Sequence, residues 1–209
     1  NGIELDVQIT KDKILVVHHD PHLMKLTQIN NFINFKNYDE IKKIDARGEK
    51  FKHIPFQHIP TLEQVIRELP EKTIINIELK SQRYLSEGME VPLVKILKKY
   101  KLLNRSIVSC FNPIILWNIK KINNNIKTAL LFHGNIPLIK YAVYFIKPDA
   151  IHININIIDK KFVDWANRLR LPIFVYTVNT NKELEKLDKL DVNGIITDCL
   201  FKKTAGEII

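Results

Sequence analysis

The run Ile74-Ile75-Asn76-Ile77-Glu78-Leu79 is followed by a helical pattern over Val91–Tyr100, and then by Ser106-Ile107-Val108-Ser109-Cys110-Phe111. Short apolar runs rich in β-branched residues read as buried strands, and apolar positions three and four apart read as a helix. Two strands separated by a helix lie parallel, because a parallel pair needs a crossover connection. The alternation continues downstream. It predicts helices over Pro113–Ile122, Ile136–Phe145, Lys160–Arg170 and Lys182–Leu190, between strands over Thr128–Phe132, Ala150–Ile155, Ile173–Val178 and Gly194–Thr197. Upstream it predicts a strand at Ile3–Gln8, a turn at Thr10-Lys11-Asp12-Lys13 and a hairpin-like extension at Ile14–His18. Helices follow at Asn37–Ile44 and from Leu62, the latter with Thr61 as N-cap. Seven strand–helix units in 209 residues fit an α/β TIM (β/α)8 barrel, typically about 250 residues long, with its first βα unit missing. The competing doubly wound sheet lacks support, since no GxGxxG or GxxxxGK loop occurs. One barrel domain over residues 1–209 is expected.

Composition narrows the classes. With 45% hydrophobic and 26% charged residues, 6 Gly and 2 Cys, the chain is neither disordered, collagen-like nor a disulfide scaffold. No apolar run reaches the roughly 18 residues that a spanning helix needs. The net charge is +9. Its lysines are scattered in pairs such as Lys42-Lys43 and Lys120-Lys121, which reads as solvated helix faces; no nucleic-acid partner is expected. Cys110 and Cys199 stand far apart and are expected to be reduced and mostly buried. The chain opens at Asn1 directly on a strand, without a basic n-region. A preceding segment is therefore expected, and the cytoplasm is the default compartment, any leader lying in that segment.

The chemistry gathers in a few places. Glu4 and Asp6 alternate in one strand and share a face. The inward face of a parallel barrel is apolar except at its catalytic end, and paired carboxylates repel unless a cation lies between them. An exposed edge acid beside a turn acid is the equally open alternative. Glu78 and Lys80 repeat the spacing near the end of an apolar strand; they can add a third metal ligand and a phosphate contact, or form a plain ion pair. His18-His19-Asp20-Pro21-His22 follows the run Ile14–Val17. A histidine at a barrel mouth suits general acid–base work, while a surface loop and a transition-metal site remain open. Tyr176 is a pocket wall or a core aromatic, Phe111 an aromatic lip, Asn112 a helix cap, and Asp198 a cap for a following helix.

Together these segments resemble the glycerophosphodiester phosphodiesterase family. Ile3-Glu4-Leu5-Asp6-Val7-Gln8, Thr10-Lys11-Asp12, Val16-Val17-His18-His19-Asp20, Ile59-Pro60-Thr61-Leu62-Glu63, Ile77-Glu78-Leu79-Lys80, Ser109-Cys110-Phe111-Asn112, Tyr176-Thr177-Val178-Asn179 and Gly194-Ile195-Ile196-Thr197-Asp198 match its motifs in order along nearly the whole chain. The resemblance implies a TIM barrel and metal-dependent hydrolysis of glycerophosphodiesters to sn-glycerol 3-phosphate and an alcohol, by a phosphoric diester hydrolase of lipid and glycerol metabolism. It implies Glu4, Asp6 and Glu78 as ligands of Mg2+ or Ca2+, His19 as catalytic acid–base and Lys80 as phosphate contact; Tyr176 and Phe111 are expected along the substrate pocket from their strand-end positions alone. No role carries over to His18, which stands where the family often has an apolar residue.

Family members also carry a His-Arg-Gly motif upstream of the IELDVQ strand, supplying a partner acid–base and a phosphate-gripping Arg. Neither lies in these residues, so weak or no turnover is expected of this chain alone, and exposed sheet edges favour dimerisation or aggregation. A non-catalytic barrel that binds a phosphodiester or a partner protein is the alternative of a different class. A phospholipase-like relative acting at a membrane surface is another, and would show an apolar or basic rim at the barrel mouth. The partner expected first is a small-molecule glycerophosphodiester. The sequence leaves the head group, the choice of cation and the oligomeric state open.

Overall fold

The computed structural model describes residues 2–27, 31–48, 51–81, 86–134 and 136–201. The strands are β1 (Gly2–Ile9), β2 (Leu15–Val17), β3 (Ile74–Leu79), β4 (Ser106–Cys110), β5 (Lys127–Phe132), β6 (Ala150–Asn154), β7 (Ile173–Tyr176) and β8 (Gly194–Ile195). The sheet order is β2-β1-β3-β4-β5-β6-β7-β8. Only β2 is antiparallel, folding back on β1 as a hairpin; every other neighbouring pair is parallel. The seven parallel strands are those the alternation predicts. The sheet curls as a (β/α)8 barrel does: Asp198, just past β8, acts electrostatically on Glu4 of β1, although five strands separate them along the sheet. Among the described residues β8 and β1 are not paired, so the curled sheet has an open seam.

The helices are α1 (Met24–Thr27), α2 (Tyr38–Ile41), α3 (Leu62–Glu68), α4 (Glu90–Lys99), α5 (Pro113–Ile122), α6 (Ile136–Ile146), α7 (Lys160–Arg168) and α8 (Asn181–Leu187). Their starts follow from capping chemistry. Thr61 Oγ1 accepts from Gln64 N at 3.1 Å, and the Gln64 side chain accepts from Thr61 N at 2.8 Å. Asn112 accepts from Ile114 N at 2.9 Å, ahead of Pro113 at the first helical position. Thr180 and Glu183 form the same reciprocal box at α8. The expected helix at Asn37–Ile44 is cut to Tyr38–Ile41 because the chain continues in tighter turns, with Lys43 N donating to Glu40 O and Ile44 N to Ile41 O. No helix among the described residues is long and apolar enough to cross a membrane.

The outward face of the sheet carries Val7, Ile75, Ile77, Leu79, Val108, Ile151 and Val175, buried with Leu93, Leu97, Ile115, Leu116 and Phe162 of the surrounding helices. The inward face alternates with it. In register across the strands stand Asp6, Glu78, Ser109, Ala129 and Ala150, and one level on, Leu131, His152, Phe174 and Gly194. A Cβ at Gly194 would meet the Phe174 ring at 2.8 Å, so any larger residue there would have to displace that ring. His152 is buried against Phe174, and burial pulls it down to about 4, keeping it neutral at pH 7.

A second, smaller core holds the excursion between β2 and α3: Val16, Leu23, Ile33, Ile41 and Ile59. It seats α1 and a 3-10 turn at Ile33–Phe35, neither of which the sequence pattern predicts. Both cysteines are free, but only Cys110 is buried. Its Sγ donates to Leu79 O at 3.1 Å, and burial pushes the thiol up to about 12. Cys199, expected inside, is exposed because it follows the end of the last strand, its N–H donating to Thr197 Oγ1.

Ile77 is fully buried between β3 and the helices. Ile77→Ala should lower the unfolding free energy by about 2–5 kcal/mol, read from urea melts; a loss near zero would show that this face is not close-packed.

Candidate active site

The parallel register sets Asp6 of β1 opposite Glu78 of β3, and Glu4 opposite Asn76 one inward position earlier. Carboxylate oxygens of Glu4, Asp6 and Glu78 lie within 4.8 Å of one another. Lys80 follows directly on β3, its N–H held by Val7 O at 2.9 Å. Its Nζ stands 3.0 Å from Asp6 Oδ1 and 2.5 Å from Glu78 Oε1. The ion-pair reading of Glu78 and Lys80 and the three-acid reading thus describe one and the same cluster.

Three carboxylates around one ammonium leave an excess of negative charge. Burial, then the charges of Asp6 and Glu78, push Glu4 up to about 8. Burial also raises Glu78, against the opposing pull of Lys80. For Lys80 burial acts downward, but its bonds to Glu78 and Asp6 outweigh it and hold the ammonium above its ordinary range. Glu4 Oε1 is buried and accepts no hydrogen bond. A set of hard oxygen donors with one orphaned carboxylate oxygen fits a divalent cation, which would relieve the repulsion that the lysine only partly offsets.

The hairpin brings the histidines to this cluster. His18 N donates to Asp6 O at 2.9 Å, and the Gln8 side chain donates to His19 O at 2.9 Å. His18 is half-buried, and burial lowers it below its ordinary value. His19 is exposed, its Nδ1 2.9 Å from Asp20 Oδ1, and it acts electrostatically on Glu78. Asp20 also pairs with Lys25 at 2.7 Å, and hydrogen bonds from Lys25 and His19 hold it down at about 2. His22 turns away to stack on Phe32, ring centroids 3.7 Å apart, so the three histidines do not form one ligand set.

Across the mouth, Tyr176 at the end of β7 donates its hydroxyl to Phe132 O at 2.8 Å, and its ring meets Phe111 edge-on at 6.2 Å. Phe111 in turn meets His133 edge-on at 5.2 Å. Tyr176 therefore lines the opening, and the Glu78 charge acts on it. Sequence reasoning passed over His133; the inward alternation Ala129, Leu131, His133 running past the end of β5 was the signal. Asp198 is not the helix cap expected of it: among the described residues no helix follows, its carboxylate accepts from Asn179 Nδ2 at 2.9 Å, and its charge bears on Glu4.

Residues 1–200 match the model of the glycerophosphoryl diester phosphodiesterase family. The chain belongs to that family. A glycerophosphodiester phosphodiesterase of Caldanaerobacter subterraneus is 36% identical over 203 residues, spanning 95% of this chain and 82% of that protein. One from Bacillus altitudinis is 31% identical over 202 residues, with 95% and 82% covered. Among solved structures, an Oleispira antarctica phosphodiesterase in complex with the product sn-glycerol-3-phosphate superposes with a TM-score of 0.86 at 23% identity, covering 95% of this chain and 81% of that one. A Thermotoga maritima glycerophosphodiester phosphodiesterase gives 0.72 at 26% identity, covering 94% and 81%. By family, then, the chain is a phosphoric diester hydrolase with the barrel fold, and its acidic cluster is one that can hold a divalent cation.

Folded Glu4 keeps its proton to about pH 8, whereas the unfolded chain loses it near 4.5. Its favourable contribution is complete below the lower value and lost as pH rises through the upper one. In chelator, the unfolding free energy of the wild-type chain should fall with rising pH across that window, and Glu4→Gln should flatten the slope; equal slopes in urea melts would contradict the assignment.

Proposed function

We propose that the chain hydrolyses glycerophosphodiesters to sn-glycerol 3-phosphate and an alcohol, with Mg2+ or Ca2+ held by Glu4, Asp6 and Glu78. The observation that carries this reading is the convergence of three carboxylates and Lys80 at the strand ends of a barrel of this family. When bound, the cation withdraws charge from the phosphoryl oxygens.

The chain's own groups do the rest. The Lys80 ammonium neutralises a phosphoryl oxygen as negative charge builds in the transition state. Asp20, 2.9 Å from His19 Nδ1, accepts a hydrogen bond from Nδ1–H, the tautomer that leaves the Nε2 lone pair free to work as the base. His19 then moves one proton: it draws it from the attacking water, or delivers it to the departing alkoxide, and solvent water serves the other transfer. The new P–O bond forms to the attacking oxygen, the P–O bond to the alcohol breaks, and the alcohol leaves protonated. Tyr176 and Phe111 form the wall against which the carbon part of the substrate lies.

The test is release of sn-glycerol 3-phosphate from glycerophosphocholine and glycerophosphoethanolamine by the purified chain. Turnover is expected to need Mg2+ or Ca2+ and to cease in chelator. Lys80→Ala should lower kcat by about 10²–10³-fold, the cost of removing one preorganised charge stabiliser, and His19→Ala by about 10²–10⁴-fold. Cation and substrate binding without release, even on long incubation, would replace hydrolysis by the phosphodiester-binding reading.

A further inference from the structure

Between Glu90 and Asp149 the chain contains no acidic residue and ten lysines and arginines. The whole chain carries +9, so the excess positive charge belongs to this stretch, which builds α4, α5 and α6. On the outer face of α6, Tyr141, Tyr144 and Phe145 are 76%, 60% and 71% exposed. They stand three and four residues apart and so form one face. The face continues onto α5, where the Trp117 and Phe145 rings lie 6.0 Å apart and Lys121 Nζ sits 3.4 Å over the Trp117 ring. Ile114 and Ile122 are exposed on the same helix. At the far side, Lys140 Nζ lies 5.2 Å over Trp165 of α7.

We propose that this α5–α6 flank docks on the surface of an anionic lipid bilayer. Rings with an apolar body and a polar tip seat at headgroup level, and lysines reach past them to phosphates. An amphipathic surface of this make-up binds through apolar burial and attraction to anionic lipid together. A second copy of the chain fits the face poorly. A two-fold contact would set lysines against lysines, with no acid in the stretch to answer them. The acid that ends it, Asp149, is already held by Lys120 at 2.5 Å and Lys127 at 2.9 Å. The face lies on the barrel's side rather than at the rim where a lipid-cleaving relative would need it: α6 begins at the mouth after β5, and its exposed rings fall in later turns. Docked this way the barrel lies on its flank, with the mouth open to water.

The experiment is co-sedimentation of the purified 209-residue chain with vesicles of phosphatidylcholine plus phosphatidylglycerol, against phosphatidylcholine alone. Binding is expected only to the anionic vesicles and should weaken in high salt. The exposed-ring variant Tyr141→Ser/Tyr144→Ser/Phe145→Ser should lose binding by about ten-fold or more. Lys147 is exposed one position past the end of α6, and Lys121→Gln/Lys147→Gln should weaken binding by about five-fold per lysine while melting like wild type, so that pair decides the matter should the ring variant fail to fold. Absence of binding, equal binding to neutral vesicles, or unchanged binding by the lysine pair overturns the proposal. So does a chain dimer in sedimentation equilibrium that the ring variant disperses while vesicle binding stays intact.

Discussion

The parallel pairing of β1 with β3 is the constraint on which the site depends. Its register sets Asp6 against Glu78, and strand alternation adds Glu4 to the same inward face. Outward residues of those two strands, Val7, Ile75, Ile77 and Leu79, are buried in the main core. A slip of one residue would exchange the faces, sending carboxylates under the helices and apolar side chains into the mouth. Hydrophobic burial on one side of the sheet thus holds mutually repelling acids together on the other. The electrostatic cost appears as Glu4 pushed up to about 8, and Lys80, bonded to two of the three acids, offsets part of it.

Much of this was legible in the sequence, for reasons that differ between elements. β3, at Ile74–Leu79, and α5, at Pro113–Ile122, match their predicted spans. An unbroken apolar run and a cap followed by proline are local signals that packing reinforces rather than overrides. α1 and the 3-10 turn at Ile33–Phe35 escaped because they are too short to show a period; the small core of Val16, Leu23, Ile33, Ile41 and Ile59 shapes them through contacts distant in sequence. In the site, Glu4, Asp6, Glu78 and Lys80 were legible because their spacing of two fixes a strand face. His133 and Asp198 were not, because each lies past the end of its strand, where alternation persists but no longer looks like a strand. Asp198 in particular reaches Glu4 only because the sheet curls, which no local pattern reports.

The charge of the molecule divides in the same way between local and global causes. The mouth gathers acids while the α4–α6 side gathers lysines. An anionic substrate meets net negative charge at the carboxylates unless cations intervene, which gives Lys80 and a divalent ion a shared task. The basic flank does not supply that charge to the mouth, since its rings and lysines lie along the outer face of α5 and α6.

The central claim is that Glu4, Asp6 and Glu78 hold a divalent cation. Titrating Mg2+ or Ca2+ into the chain near pH 7 by calorimetry, in two buffers of different protonation enthalpy, tests it most directly, because it counts cations bound and protons released together. With Glu4 protonated up to about pH 8, the account predicts one cation per chain, release of a proton on binding, and loss of both signals in Glu4→Gln. Saturable binding that survives Glu4→Gln with no proton released, or no saturable binding by the wild-type chain, would contradict it.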